Sequence, residues 1–265
     1  MKVEEVKTNN WALILGGSKG LGLATARKLA RSGYNILVVH RDRNLDIPGI
    51  ESTFKEISSA GILFKNFNKD AIQPVSRKEL IQEIQDFIPE GHKIKVLVHS
   101  IAKGNLKPMY ALNEQELSSQ DFQITINAMA ISLYDWTQGL IRAGLFADDS
   151  RIIAFTSEGS TKAMTNYGAV GAAKAALEAI ARNMALEFAV LGLKTNCIQA
   201  GVTDTESLRR IPGSRNLIEQ AISRNPNARL TTPEDVADVV YLLCTEEAKW
   251  INGTVIKVDG GESLR

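Results

Sequence analysis

Two side chains with chemical reach stand seven positions apart in the run NYGAVGAAKAALEA, the phenol of Tyr167 and the amine of Lys174. On a helix a step of seven turns through about 700° and advances about 10 Å, so the two share one face, with the tyrosine nearer the helix start. A phenol can donate a proton and an ammonium carries charge. The plain alternative is a solvated tyrosine and a solvated lysine that happen to align. Gly171 and the small Ala172, Ala173, Ala175 and Ala176 leave room around that face for close packing, and a glycine-rich turn lies upstream. That context favours chemistry.

The turn is LGGSKGLG, with Gly16, Gly20 and Gly22 between the apolar run WALIL and the helical pattern LATARKLA. Glycines there let the backbone approach a pyrophosphate, and the free N–H groups and dipole at a helix start favour its negative charge. An ordinary tight turn is the competing reading. The second strand ends in Val39, His40, Arg41, Asp42, with no acid at its tip to bond an adenosine ribose. Instead, Arg41 and Lys19 are cations able to converge on the 2′-phosphate of NADP, unless both are merely solvated surface charges. The expected cofactor is NADPH. Asp70, just after the third strand, suits an adenine amino group or a helix N-cap.

These residues need a scaffold, and the sequence alternates short β-branched and aliphatic runs with longer segments of helical period. Strands are expected at 11–15, 36–39, 63–67, 96–99, 152–156, 195–199 and 254–258. Helices are clearest at 21–31, 76–87, 167–191 and 233–243, the last opening with Thr232 as N-cap and Pro233 in the first turn. The expected fold is α/β, a Rossmann-like, doubly wound, seven-stranded parallel sheet with helices on both faces, forming one NADP-binding domain over residues 1–265. Residues 202–230, with Pro212, Gly213 and Pro226, follow a strand end and read as a substrate-covering loop or helices, or as a surface excursion. Leu208, Ile211, Leu217 and Ile218 there are apolar enough to cover an acyl chain.

Composition narrows the class. Thirty-one basic against thirty acidic side chains leave no global field to draw the protein onto nucleic acid or an anionic membrane. Cys197 and Cys244 sit in apolar stretches, as reduced core thiols do, and His40, His92 and His99 show no metal-ligand spacing. The first ten residues read as neither signal peptide nor anchor, so a cytoplasmic location is expected.

The landmarks, taken in order, are the glycine turn, Asp70, HSIA at 99–102, Asn127, the helix start with Tyr167 and Lys174, AGVTDT at 200–205 and VDGG at 258–261. With them the chain resembles the short-chain dehydrogenases/reductases over essentially its whole length. Most carbonyl reductases of that superfamily place three residues between tyrosine and lysine; here there are six, the mark of bacterial enoyl-acyl-carrier-protein reductases. Val170 stands at the carbonyl-reductase tyrosine position. The chain most resembles the FabL type, while HSIA is similar to the FabI type.

The resemblance implies NADPH-dependent reduction of the trans-2 double bond of an enoyl thioester, carried on acyl-carrier protein or coenzyme A, in a homotetramer. It implies that Lys174 bonds the nicotinamide ribose and lends positive potential, and that Tyr167 donates to the thioester carbonyl. Cofactor contacts are implied at Gly16, Ser18, Lys19, Gly20, Leu21, Gly22, Arg41, Asp70, Ala71, Ser100, Ile101, Ala102, Asn127, Ala200, Gly201, Thr203 and Thr205. Thr203 would hold the carboxamide through its backbone and Thr205 the pyrophosphate side, while Asn127 anchors a helix bend or a water chain near the lysine. Ser157 replaces a second tyrosine of FabI-type relatives; it is a carbonyl ligand beside Tyr167 or a strand-end cap. Leu15 replaces a usual threonine, and Ala200-Gly201-Val202 stands where many relatives have Pro-Gly. A carbonyl reductase on the same fold and an idle NADP-binding sensor are the rival readings.

Overall fold

A computed structural model describes residues 8–113, 115–209 and 213–265. Ile211 and Pro212, counted above in the covering loop, and the first seven residues lie outside them. Seven strands form one parallel sheet in the order β3-β2-β1-β4-β5-β6-β7. They are β1 (Asn10–Leu15), β2 (Asn35–His40), β3 (Phe64–Asn68), β4 (Lys93–His99), β5 (Phe146–Thr156), β6 (Leu193–Ala200) and β7 (Val255–Val258). Alternate residues point to opposite faces, so β1 feeds Trp11, Leu13 and Leu15 to one hydrophobic core and Ala12 and Ile14 to the other. Burial on both faces is why these strands read as continuous apolar runs. The expected doubly wound fold is the one observed.

Helices cover both faces: α1 (Gly20–Arg31), α2 (Ile47–Ser58), α3 (Pro74–Phe87), α4 (Ser119–Ile126), α5 (Ser132–Arg142), α6 (Gly168–Glu187), α7 (Glu206–Arg209), α8 (Ser214–Arg224) and α9 (Pro233–Leu243). The expected cap of α9 is present as a capping box: Thr232 Oγ1 accepts from the Asp235 N–H at 3.2 Å, and the Asp235 carboxylate accepts from the Thr232 N–H at 2.8 Å. No helix among the described residues is long and apolar enough to cross a membrane.

Two expectations need correction. The helix expected at 167–191 is α6, Gly168–Glu187, followed by a separate 3₁₀ turn at Ala189–Leu191; Tyr167 is its N-cap residue, with φ −111° and ψ 6°. The strand expected at 152–156 begins at Phe146, because Lys95, Arg151 and Lys194 pair with Asp149 and make a charged stretch tolerable within the sheet. Residues 202–230, expected as a covering loop or helices, hold α7 and α8.

Candidate active site

The strand order reverses between β1 and β4, and open α/β sheets bind ligands at that switch point, outside the carboxyl ends of the strands. A cavity of about 890 Å³ lies there, lined by the ends of β1, β2, β4, β5 and β6 together with α8.

The glycine turn forms one wall. Gly16 has φ +84°, and a Cβ on it would lie 2.5 Å from the Ser100 carbonyl oxygen. A Cβ on Gly22 would lie 2.3 Å from the carbonyl oxygen of Gly16, so that residue closes the turn on itself. Gly20, at φ +55°, faces Thr205 across a gap that a Cβ would begin to fill. The start of α1 has no side-chain cap and no acid in its first turn, which leaves its N–H groups for an anion. This cradle fits a dinucleotide pyrophosphate.

Of the residues expected to touch cofactor, Gly16, Ser18, Lys19, Gly20, Leu21, Arg41, Asp70, Ala71, Ser100, Ile101, Ala102, Lys174, Ala200, Gly201, Thr203 and Thr205 all line this cavity. Gly22 and Asn127 do not line it. Gly22 serves turn closure. Asn127 is exposed and opens a π turn, Asn127–Ile131, that joins α4 to α5, so of its two expected roles the structure shows the helix irregularity.

The adenosine end differs from expectation in its charge balance. Arg41 Nη1 pairs with Asp70 Oδ2 at 2.7 Å, and Lys19 Nζ lies 2.9 Å from Glu206, 3.4 Å from Asp42 and 3.5 Å from Asp46. Asp70 also caps the chain before α3, accepting the Ile72 N–H at 2.8 Å. Although the strand tip lacks an acid, Asp42 brings one beside the glycine turn, 2.9 Å from His40 Nδ1. Burial alone would raise that carboxyl, but Ser18, His40 and Lys19 hold it below its ordinary range. The sequence reading passed over Asp42 because it sits two residues past the strand.

At the other end, Tyr167 is half-buried and its hydroxyl donates to Ser157 Oγ at 3.4 Å. Ser157 Oγ also accepts the Gly159 N–H at 3.1 Å, so it both caps the strand end and faces the phenol. Close packing holds the ring: a Cβ on Gly159 would lie 2.5 Å from it, and one on Gly171 would lie 2.7 Å from the Gly159 carbonyl oxygen. Burial raises the Tyr167 hydroxyl above its usual pKa, with Ser157 pulling the other way, so it remains a protonated donor. Lys174 is buried and donates to the Phe155 carbonyl at 2.7 Å; burial brings it down to about 8, with neighbouring Cys197 and Glu178 pulling the other way. Val170 is buried with Met129 and Ala173 and offers the cavity only methyl groups.

Some lining residues escaped the sequence reading. Arg224, from α8, donates to Glu262 at 2.7 Å and lies 3.4 Å from Glu158, linking the covering helices to the residue after Ser157. Nothing local marked it. The loop after β4 is pinned by Asp121 of α4, which accepts from Asn105 at 2.6 Å and from Lys107 at 3.0 Å and so sets Leu106 against the cavity.

A family profile described as enoyl-(acyl carrier protein) reductase matches residues 16–263. The chain is 29% identical to the NADH-dependent enoyl-[acyl-carrier-protein] reductase FabI of Aquifex aeolicus, over 94% of this chain and 90% of that one. The crystal structure of the Aquifex enzyme superposes with a TM-score of 0.82 at 25% identity, covering 98% of each chain. Similarity extends to a tropinone reductase homologue of Arabidopsis thaliana, 27% identical over 94% of this chain and 90% of that one. It also extends to the 3-oxoacyl-[acyl-carrier-protein] reductase FabG of Chlamydia trachomatis, 26% identical over 96% and 97%.

Proposed function

The chain belongs to the short-chain dehydrogenases/reductases, in the family described as enoyl-(acyl carrier protein) reductase, and we propose that it reduces the trans-2 double bond of enoyl thioesters with NADPH. The observation that carries this reading is the placement of the donor. Tyr167 presents the hydroxyl seven residues before Lys174, whereas residue 170, where a carbonyl reductase has its tyrosine, is a buried valine.

The glycine turn, the start of α1 and Thr205 would hold the pyrophosphate, and Thr203 the nicotinamide carboxamide. When bound, the dinucleotide supplies hydride to the substrate. Tyr167 keeps its proton because it is buried, and its hydroxyl is available to a thioester carbonyl oxygen, the atom on which negative charge grows. Lys174 contributes positive potential from beneath. Leu106, Met164, Leu208 and Leu217 give the cavity apolar surface for an acyl chain on acyl-carrier protein or coenzyme A. NADPH is preferred because Lys19 and Arg41, 42% and 64% exposed, are held by surface ion pairs, which are weak and readily exchanged for a phosphate.

A second reading, keto reduction, is favoured by the Tyr167–Ser157 hydrogen bond, since carbonyl reductases place a catalytic serine at that point. Oxidation of NADPH and of NADH with crotonyl and acetoacetyl thioesters separates them. Turnover of crotonyl thioester with NADPH is expected. Turnover of acetoacetyl thioester alone would replace this reading with the second, and tight NADPH binding without either reaction would point to a sensor.

A further inference from the structure

Beneath the cavity, Glu178 carries a carboxylate to which the chemistry above gives no role. It lies one helical turn beyond Lys174 on α6, and each of the two is 8% exposed. A buried carboxylate is costly unless it is paired. Here Thr156 Oγ1 donates to Glu178 Oε1 at 2.6 Å, while Lys174 donates to the carbonyl of Phe155. One stretch of α6 thus grips two successive residues at the end of β5, immediately before Ser157.

The other titratable groups around this pair are His99 on β4, Cys197 on β6 and Arg182 further along α6. His99 is neutral, because burial brings it down to about 3, and its Nε2 shares a hydrogen with Ser132 at 2.7 Å. Burial pushes the Cys197 thiol up to about 12, so at neutral pH it carries no charge. Arg182 is exposed. Of the two acidic groups beside the buried amine, Cys197 and Glu178, that leaves the carboxylate of Glu178.

We propose that Glu178 is a positioning residue for the reaction: anchored by Thr156, its carboxylate keeps the buried Lys174 amine protonated and holds the end of β5 that presents Ser157 against α6. The inference rests on the reading that Tyr167, Ser157 and Lys174 carry the reduction. Glu178→Gln keeps the size and an acceptor for Thr156 and removes the charge. Its alkaline limb of kcat/KM is expected to move to lower pH by about one unit, the scale of a nearby opposite charge. At pH 8 that is a loss of roughly fivefold, with much less at pH 6, and NADPH affinity, read by fluorescence, should show the same displacement. Glu178→Asp should restore most of the limb.

A limb that stays in place while activity falls equally at every pH would reduce Glu178 to packing and overturn the proposal. If the glutamine variant does not fold, Glu178→Met, which also removes the charge, decides: a limb displaced to lower pH supports the role and an unmoved limb sinks it. Should the wild-type protein reduce no thioester, the reading of substrate fails by itself, and the displaced NADPH-affinity limb still supports the assignment to Glu178.

Discussion

Tyr167 works as a donor only while its proton stays on, and the same burial that secures this also demands a partner, which Ser157 supplies at 3.4 Å. Tyr167→Phe keeps the ring against Gly159 and deletes the hydroxyl. Turnover should fall by about 10²- to 10³-fold, the cost of losing one donor at a developing oxyanion, with NADPH affinity nearly unchanged. Steady-state kinetics beside a fluorescence titration checks both halves; undiminished turnover would remove Tyr167 from the mechanism. Lys174 has a different signature. Its amine titrates at about 8 rather than at its ordinary value near 10.5, so the folded protein holds this proton less tightly than the unfolded chain. From about pH 8 to 10.5 its deprotonation therefore favours the folded state, even as the ammonium is lost. Turnover is expected to decline above pH 8 with no fall in Tm traceable to this group. The lysine and tyrosine were legible in the sequence because their spacing survives in one dimension. Glu178 and Arg224 were not, since their partners come from β5 and from the C-terminal turn.

Among the elements, the glycine turn and the loop after β4 carry the sharpest consequences. Gly22 has no place for a side chain, and Gly22→Ala sets a methyl against the Gly16 carbonyl oxygen, forcing the turn open. Overpacking of this kind costs about 1–3 kcal/mol. If the cost falls on the bound turn, NADPH affinity drops by about tenfold or more, which calorimetry measures. Unaltered affinity would mean that the turn plays no part in the cradle. Asp121 combines two tasks, capping α4 through Ser118 and clamping Asn105 and Lys107. Asp121→Ala should lower stability by about 1 kcal/mol for the cap and raise KM for the thioester more than it lowers kcat, because the wall carrying Leu106 loosens. Kinetics and thermal unfolding separate the two effects. Several helices were invisible beforehand for local reasons: α2 carries Pro48 and Gly49 in its first turn, which look like a break, yet proline is tolerated there.

For the whole molecule, a ligand that binds only the folded state adds RT ln(1 + [L]/Kd), about 2.7 kcal/mol at a hundredfold excess over Kd. For a chain of this size that raises Tm by roughly 5–10 °C. NADPH is expected to give the larger rise and NADH, at equal concentration, a smaller one; the reverse order would mean that Asp42 on a ribose hydroxyl outweighs Lys19 and Arg41 on a phosphate. By itself the sequence determined the alternation of strands and helices, the doubly wound sheet, the glycine turn, and the pairing of Tyr167 with Lys174. Each of these is written in periodicity or in spacing along one element. Tertiary structure alone decided the partners of charge. Arg41 meets Asp70, Asp42 reaches the glycine turn, Arg224 bridges to Glu158 and Glu262, and Thr156 holds Glu178. Such pairs join residues from separate elements, and their distances follow from how strands and helices pack, which no local pattern encodes.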